Sequence, residues 1–259
     1  MGVHWSAEEI GRVFRLRAEG LPHHEISERT GVPVSTLRNW LYGRVPRRAC
    51  KAPHEQVCHQ CGSTGHRFLE APPAQYSCLL AVYLGDGHLW QHRGRTYSLR
   101  VALDSAYPGI IEEVVDAIEE IRGRRPWIGR DPRKNLFRVV SYWKEWPCCF
   151  PQHGPGRKHS REIVLAKWQR EIVAQEPGRF LRGLIHTDGW RGLNRVHVKG
   201  RDYAYPRYQF SNRSDDIRRL FTDVCDQLRI AWRPWTRYHV SVARKDAVAL
   251  LDSFVGPKG

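Results

Sequence analysis

Two similar segments decide the fold of this chain: LLAVYLGDG at residues 79–87 and LRGLIHTDG at residues 181–189. Each has the apolar residues of a helix of about three turns, followed by an Asp-Gly pair. The two aspartates, Asp86 and Asp188, are 102 residues apart (188 − 86). A motif that returns in this way indicates an internal duplication of one structural unit.

The residues after each motif also match in type and order. Two extended stretches, an amphipathic helix, an Arg-Pro-Trp sequence, a strand and a closing helix are each predicted twice. The matched ranges are 88–92 and 96–103 with 194–199 and 203–211, 108–121 with 215–228, 125–127 with 233–235, 140–142 with 240–242, and 163–174 with 245–254. Each half is therefore expected to fold as helix–strand–strand–helix–strand–strand, closed by a further helix.

This pattern resembles the single-chain, two-motif form of the LAGLIDADG homing endonuclease family, over about residues 75–255. The resemblance implies an α+β fold, a pseudo-two-fold duplicated αββαββα saddle. The two motif helices can pack closely only if small residues line their contact, and Ala81 and Gly183 have the required size. The two aspartates are then expected to meet at the base of the helix pair.

The resemblance also implies a chemistry for these acids. In the family they share Mg²⁺ ions in phosphodiester hydrolysis, so Asp86 and Asp188 become candidate catalytic residues and ligands of Mg²⁺ or Mn²⁺. The carbonyls of Gly85 and Thr187 are candidate additional ligands. Two carboxylates at helix C-termini repel each other until a divalent cation arrives, which gives the arrangement its physical reason.

A basic pair and a set of strand residues complete the expected nuclease site. Lys144 and Arg244 each follow, by three residues, the serine of a Val-Ser sequence, Ser141 and Ser241, and the resemblance suggests that they neutralise charge at the scissile phosphate. Side chains that alternate along the strands are expected to contact the major groove of DNA. These side chains are Arg93, Arg100, Arg195, Arg207 and Gln209.

Residues 6–44 resemble a helix-turn-helix. A capping box at 6–9 begins a helix that should end at Gly20, a second helix is expected from Pro22 to Thr30, and a third from Val34 to Leu41. The third helix is the expected DNA reader if Leu37, Trp40 and Leu41 pack inward. Its candidate DNA-contacting residues, with one that follows the helix, are Ser35, Thr36, Arg38, Asn39 and Arg44. The alternative is a three-helix bundle that contacts no DNA.

The linker after this module has a run of cysteine and histidine that resembles a zinc knuckle: Cys58, Cys61 and His66 in the spacing C-x2-C-G-x3-H. Ala71 occupies the place of the fourth ligand, so Cys50 is the best substitute and His54 is next. The alternative is a set of reduced thiols without metal. A second group has no common zinc spacing and fits a rigid Pro/Gly loop better, although zinc is also considered there: Cys148, Cys149, His153 and His159.

Composition favours a nucleic-acid partner. There are 42 Lys and Arg against 27 Asp and Glu, so the formal net charge is +15 and attracts polyanions. The sequence has no apolar run near the roughly 20 residues of a membrane span and no secretory signal at its N-terminus. Seven cysteines, an odd number, suit a reducing compartment. The cytoplasm, at the nucleoid, is the expected location, with no membrane partner.

These observations predict five parts: 1–48 (helix-turn-helix), 49–73 (linker), 74–145 (first repeat), 146–175 (Pro/Gly/Cys/His loop and connecting helix) and 176–259 (second repeat). The expected function is a monomeric, Mg²⁺-dependent, sequence-specific endonuclease of double-stranded DNA. The sequence has no Cys or Ser at its start and no His-Asn at its end, so a free-standing nuclease is expected rather than an intein. A non-catalytic transcriptional regulator on the same scaffold is the alternative, and an RNA-processing role is a third.

Overall fold

The structure is a computed structural model that describes residues 5, 7–41, 58–94, 96–131, 134–256 and 258 of the 259. The chain divides into two units, Met1–Gly65 and His66–Gly259. Each unit has a hydrophobic core of its own. Within the described residues, no helix combines the length and the apolar character that a membrane span requires.

The N-terminal unit contains α1 (Ala7–Ala18), α2 (His23–Thr30) and α3 (Val34–Leu41). The three predicted helices are therefore confirmed, although Ser6 of the expected capping box lies outside the described residues. Gly31 ends α2 in the left-handed region at φ 69°, and its N–H donates to the carbonyl of Ser27 at 2.8 Å. The small core of this unit is built from Ile10, Val13, Ile26, Val32, Leu37 and Trp40.

The first repeat of the larger unit begins with a buried helix. Its elements are α4 (Pro73–Leu84), β1 (Gly87–Gln91), β2 (Tyr97–Asp104), α5 (Pro108–Arg122), β3 (Trp127–Asp131) and β4 (Leu136–Trp143). The four strands form one antiparallel sheet in the order β1-β2-β4-β3. One face of this sheet is apolar and packs on the helices, because residues such as Leu99, Val101 and Val139 alternate with polar ones.

The second repeat has the same element order after a connecting segment. The connecting helices are α6 (Trp146–Cys149) and α7 (Lys167–Gln175); the repeat comprises α8 (Pro177–Asp188), β5 (Gly189–Val198), β6 (Arg201–Ser211), α9 (Asp215–Gln227), β7 (Arg233–Thr236), β8 (His239–Val242) and α10 (Lys245–Val255). Its sheet has the order β5-β6-β8-β7, which is the order of the first sheet. The predicted duplicated αββαββα architecture is confirmed.

Helices α4 and α8 contact each other at their small residues, as the sequence predicts. A Cβ atom added to Gly183 would lie 2.7 Å from both the Cβ of Ala81 and the carbonyl oxygen of Cys78. Any side chain at residue 183 would therefore force the two helices apart. Both helices begin with proline at the first turn, where a missing N–H costs nothing. Every residue of α4 from Tyr76 to Leu84 is buried.

This close approach leads to a stability prediction. Gly183→Ala is expected to cost about 2–3 kcal/mol through overpacking, which lowers the melting temperature by roughly 5–10 °C for a domain of this size. Gly178→Ala, in the same helix, is the matched control, because its Cβ would meet only the ring of Phe254 at 3.3 Å. Thermal unfolding followed by circular dichroism measures both. Equal melting temperatures for the two variants would contradict the tight helix contact.

The segment between the repeats is held in place by side chains that bond to its backbone. Arg161 donates to the carbonyls of Gln152 at 3.1 Å, Gly154 at 3.1 Å and Gly156 at 2.8 Å. The Gln169 amide donates to the hydroxyl of Tyr76 at 2.8 Å, inside the core. These bonds fix the loop that carries residue 158 toward the end of α4.

Candidate active site

The two motif aspartates lie at the C-terminal ends of the contacting helices. Asp86 lies two residues beyond Leu84, the last residue of α4, and its N–H donates to the carbonyl of Val82 at 3.0 Å. Asp188 is the last residue of α8. Gly85 lies so close to Thr187 that an added Cβ would collide with the threonine hydroxyl. The helix ends therefore touch at the residues that immediately precede the two acids.

The surroundings of the two carboxyls raise the pKa of each above its ordinary value. Asp86 keeps one exposed side, yet the surrounding protein removes enough water to raise the pKa of its carboxyl to about 6, and the negative charge of Asp188 adds to this rise. Burial also raises the pKa of half-buried Asp188, opposed by a 2.7 Å hydrogen bond from the amide of Asn212. Asp188 therefore lies close enough for its charge to act on the carboxyl of Asp86.

Two lysines that the sequence analysis did not identify face these acids. The Lys158 ammonium donates to the carbonyls of Tyr83 at 2.5 Å, Gly85 at 2.6 Å, Leu84 at 2.8 Å and Gly87 at 2.8 Å. Burial lowers its pKa to about 8, while the charges of Asp188 and Asp86 oppose that change.

Lys258 approaches the same acids from the second repeat. Its ammonium donates to the carbonyl of Gly189 at 2.7 Å. Burial lowers the pKa of Lys258, and Asp86, Asp188 and Asp104 counteract the decrease. The two acids are thus flanked by two ammonium groups, one beside each helix end.

A sequence signal for these lysines existed. Lys158 follows Asp86 by 72 residues (158 − 86), and Lys258 follows Asp188 by 70 (258 − 188). The two lysines therefore recur with nearly the same spacing as the duplicated motif. Lysine is also rare here, since eight of the 42 basic residues are Lys and the rest are Arg. Its ammonium is a compact charge that fits between backbone oxygens better than a planar guanidinium does.

The register of the sheets corrects the proposed basic pair. Gly87 pairs with Val101, which pairs with Val139, whereas Gly189 pairs with Phe210, which pairs with Val240. Val240 is therefore the equivalent of Val139, and matching Ser241 to Ser141 is wrong by one residue.

Lys144 and Arg244 are consequently not equivalent, because a shift of one residue along a strand moves a side chain to the other face. Arg244 is exposed and its guanidinium bonds to Asp246 at 2.8 Å. Lys144 is exposed after the end of β4. The positive charges that act on both aspartates are instead those of Lys158 and Lys258.

The strand residues expected to contact DNA divide into three groups. We call the sheet face opposite the helices the open face. Arg100 lies on the open face of the first sheet, and Arg207 and Gln209 lie on that of the second. Arg195 pairs with Ala204 and so alternates onto the other side of the strand, where it is exposed, and its contact with DNA stays a prediction. Arg93 lies in the turn after β1.

Each aspartate borders its own cleft. A cleft of about 1020 Å³ is lined by Asp188, Lys158, Asn212 and His88, among others. A smaller one of about 210 Å³ is lined by Asp86, Lys258, Thr187 and His186. Burial lowers the pKa of His186 to about 4, so this imidazole is neutral near neutral pH. Solvent therefore reaches the acid pair from two sides.

The donor set of this site fits a divalent cation in part. Two carboxylates near each other are the oxygen ligands that Mg²⁺ and Mn²⁺ prefer. The Gly85 carbonyl, expected as a further ligand, already accepts from Lys158. The Thr187 hydroxyl donates to the carbonyls of Gly183 and Leu184, at 3.0 Å each, whereas the role expected of the Thr187 carbonyl stays a prediction. Among the expected ligands, the carboxylates of Asp86 and Asp188 therefore fit a divalent cation best.

Helix α3 has the exposure that its predicted role requires. Leu37 and Trp40 are buried, while Ser35, Arg38 and Asn39 are exposed. Thr36 is half-buried. Arg44 lies outside the described residues. The predicted division of this helix into an inner and an outer face is confirmed.

The two predicted zinc groups have different outcomes. The N–H of Cys58 donates to the carbonyl of Ser63, and the N–H of Gly62 to that of Cys58, both at 2.8 Å, so Cys58 and Cys61 share one tight turn. Cys50 and His54 lie outside the described residues. Among the described residues no disulfide joins the cysteines.

The second group does not assemble as a metal site. Cys149 is fully buried beside Trp146 and Phe150, and its carbonyl accepts from the hydroxyl of Tyr76 at 2.6 Å. The ring of His153 packs edge-on against Tyr97 at 5.6 Å. In the part of the chain that the structure describes, Cys149, His153 and His159 belong to no group of converging ligand atoms. The predicted zinc site that combines these three residues with Cys148 is therefore wrong.

The known structures to which this chain is similar are LAGLIDADG homing endonucleases. The meganuclease I-AabMI bound to uncleaved DNA is 11% identical, with 69% of this chain and 82% of that chain covered and a TM-score of 0.47. I-LtrWI bound to target DNA is 8% identical, with 73% and 85% covered and a TM-score of 0.47. I-DmoI in complex with DNA and Mn is 12% identical, with 71% and 98% covered and a TM-score of 0.47. No family model and no curated protein matches the sequence.

Proposed function

We propose that this protein is a monomeric, metal-dependent endonuclease of double-stranded DNA. The observation that carries the proposal is the pair Asp86 and Asp188, which lie at touching helix ends in each other's electrostatic field. Two carboxylates brought together in this way cost free energy unless a cation neutralises them, so the arrangement favours cation binding. One chain contains both repeats, so the proposed site needs no second copy.

The chain's own residues have distinct proposed roles. When bound, a divalent cation would activate water and stabilise the leaving oxygen in phosphodiester hydrolysis. Asp86 and Asp188 would hold that cation, and Asn212 keeps the carboxylate of Asp188 in one orientation. Lys258, beside Asp86, is positioned to offset the charge of a phosphate. Arg100, Arg207 and Gln209 would contact DNA from the open faces.

A cleavage selection tests the proposed activity. The full chain is incubated with a plasmid library that carries randomised inserts, in the presence of Mg²⁺ or Mn²⁺, and the cut ends are sequenced. The proposal expects cut ends that share one target sequence and disappear when EDTA is added. Intact plasmids under all conditions, together with measurable DNA binding, would contradict the endonuclease proposal and leave a DNA-binding protein.

A second candidate function is a DNA-binding regulator that does not cut. The observation that favours it is Lys158, because its ammonium engages four carbonyls beside the acids, including that of Gly85. An enrichment of bound sequences from random DNA, performed without divalent cations, would reveal a preferred site in either case. Cutting of that enriched site on addition of Mg²⁺ or Mn²⁺ distinguishes the nuclease from the regulator.

We also propose that α3 contacts DNA and extends the recognised site. Ser35, Arg38 and Asn39 are exposed on one helix whose other side is buried. Arg and Asn side chains can form paired hydrogen bonds with guanine and adenine edges. Arg38→Ala and Asn39→Ala in the full chain are expected to relax sequence preference at a few base pairs, without changing the preference elsewhere in the enriched site.

Zinc binding by the cysteine turn leads to a separate prediction. Cys58, Cys61 and His66 have zinc-knuckle spacing, and the first two share a tight turn. The full chain, purified without chelators, is expected to contain about one zinc ion per chain by elemental mass spectrometry, and Cys61→Ser is expected to lose it. Cys50→Ser and His54→Ala, compared separately, test the two expected candidates for the fourth ligand.

The control for the zinc prediction is Cys225→Ser. Cys225 is a buried cysteine of the larger unit and no proposed ligand, so this variant should keep its zinc. Zinc-free wild-type protein, or full zinc content in Cys61→Ser, would contradict the prediction.

A further inference from the structure

The end of α4 forms a cage of backbone oxygens around one ammonium. The last four carbonyls of a helix lack intrahelical partners and carry partial negative charge. Three carbonyls at this end, of Tyr83, Leu84 and Gly85, point at Nζ of Lys158, and the carbonyl of Gly87 joins them. All four oxygens lie within 2.8 Å of the nitrogen. We call these four oxygens the carbonyl cage.

The geometry of the carbonyl cage is that of a cation site. An ammonium has three N–H donors, yet four oxygens surround this one, so the oxygens are not matched to donors one by one. The oxygens instead surround a centre of positive charge, as ligands surround an ion. The ring of Tyr83 adds a face 5.3 Å from Nζ. The chain thus supplies its own cation at this helix end.

Among the described residues, the second repeat shows no matching cage around its lysine. Gly189 is the equivalent of Gly87, and Lys258 donates to its carbonyl. The described hydrogen bonds of Lys258 include no other carbonyl of the α8 end. The duplicated site is therefore asymmetric, with a filled cage beside the first motif and a single lysine bond beside the second.

We propose that Lys158 is a tethered cation that permanently occupies the carbonyl cage, so that a divalent ion binds through Asp86 and Asp188 without the carbonyl of Gly85. The part that concerns the divalent ion rests on the proposed function, whereas the occupancy of the cage does not. Removing the ammonium leaves four oxygens directed at an empty place, and these oxygens then bind a cation from solution.

Replacement by a free amine tests the cage directly. Lys158→Ala removes three carbons and the ammonium, which n-propylammonium restores. We expect this variant to melt below wild type and to be stabilised by n-propylammonium, by about 3–6 °C at ten times its dissociation constant and increasingly with the logarithm of its concentration above that. Tetramethylammonium at equal ionic strength should have no such effect, because its four methyl groups keep the oxygens from approaching the nitrogen to within 2.8 Å, as they do at Lys158.

Lys167→Ala is the matched control. The Lys167 side chain is 86% exposed and forms a 3.9 Å ion pair with Glu171, so its loss opens no cage and n-propylammonium should leave its melting temperature unchanged. If n-propylammonium and tetramethylammonium act alike on Lys158→Ala, the cage proposal is overturned.

A labelling experiment on the wild-type protein remains decisive even if Lys158→Ala does not fold. Lys158 is expected to react with an amine-modifying reagent at least about tenfold more slowly than Lys167, because its donors are engaged and it is half-buried. The lowered pKa of Lys158 favours the neutral, reactive amine, so slow labelling can come only from its engagement in the cage. Saturating Mn²⁺ should not speed the reaction. Labelling of Lys158 as fast as Lys167, or release by Mn²⁺, would overturn the proposal.

Binding of Mn²⁺, measured by electron paramagnetic resonance, separates the two claims. Absence of Mn²⁺ binding with slow labelling of Lys158 would contradict the proposed function and leave the cage intact. Mn²⁺ binding with fast labelling of Lys158 would contradict the carbonyl cage and leave the proposed function intact.

Discussion

Asp86→Asn and Asp188→Asn are each expected to reduce metal-dependent DNA cleavage by about a thousandfold or more. Either change removes one negative charge from the pair and weakens its hold on the cation. A bound metal supplies several kcal/mol of transition-state stabilisation, and each 1.4 kcal/mol corresponds to about a factor of ten in rate. The rate is measured on supercoiled plasmid that carries the selected target, with Mg²⁺ or Mn²⁺ present.

The control for these variants is Asp116→Asn. Asp116 lies on α5 with a 69% exposed side chain and a 3.8 Å ion pair to Arg125, so its loss should leave the rate unchanged. DNA affinity measured without divalent ions should also be equal to or higher than that of wild type in both active-site variants, since a negative charge is removed. Cleavage by Asp86→Asn at the wild-type rate would exclude the proposed role of this acid.

The affinity of the protein for duplex DNA is expected to fall about a thousandfold between about 50 and 200 mM monovalent salt. A fall of this size corresponds to roughly six neutralised phosphates, whose counterions are released on binding. The net charge of +15 and the arginines on the open faces provide the positive groups. Fluorescence anisotropy with a labelled duplex, at five or more salt concentrations, gives the slope.

Single substitutions show which part of the surface produces the slope. Arg207→Ala, on the open face of β6, is expected to lower the salt slope by about one if Arg207 contacts a phosphate. Arg125→Ala is the comparison. Arg125 lies between α5 and β3, and its guanidinium donates to the carboxylate of Glu119 at 3.0 Å. A slope near zero in wild type would contradict the nucleic-acid function as a whole.

The duplicated fold could be predicted because its signals are local and repeated. The apolar period of α4 and α8, the Asp-Gly at each end and the small residues Ala81 and Gly183 all act within about three turns of helix. Steric contact explains the small residues, since only the missing side chain at Gly183 lets the two helices touch. The burial of Leu37 and Trp40 in α3 followed from the helical period in the same way.

The register between the repeats could not be read from the strands alone. Val139-Val140-Ser141 and Val240-Ser241-Val242 both contain apolar residues at adjacent positions, so a one-residue shift changes the pattern little. Only the cross-strand partners, Val101 for Val139 and Phe210 for Val240, determine the match. The error placed Lys144 and Arg244 near the aspartates, whereas the positive charges that act on both acids are those of Lys158 and Lys258.

The lysines of the site depend on contacts between distant parts of the chain. Lys158 reaches α4 from a loop that is shaped by Arg161, and Lys258 lies beyond the last helix. No helical or strand period links either residue to an aspartate. The asymmetry of the carbonyl cage follows from that tertiary placement, and the repeated spacing of the two lysines was the available hint.

The most direct test of the central claim is the position of Mn²⁺ in a crystal of the protein, located by anomalous scattering. We expect a peak within about 2.2 Å of a carboxylate oxygen of Asp86 and of Asp188, with the Lys158 ammonium still in the carbonyl cage. A crystal in which Mn²⁺ binds elsewhere, or in which the two carboxylates bind no ion at saturating Mn²⁺, would contradict it.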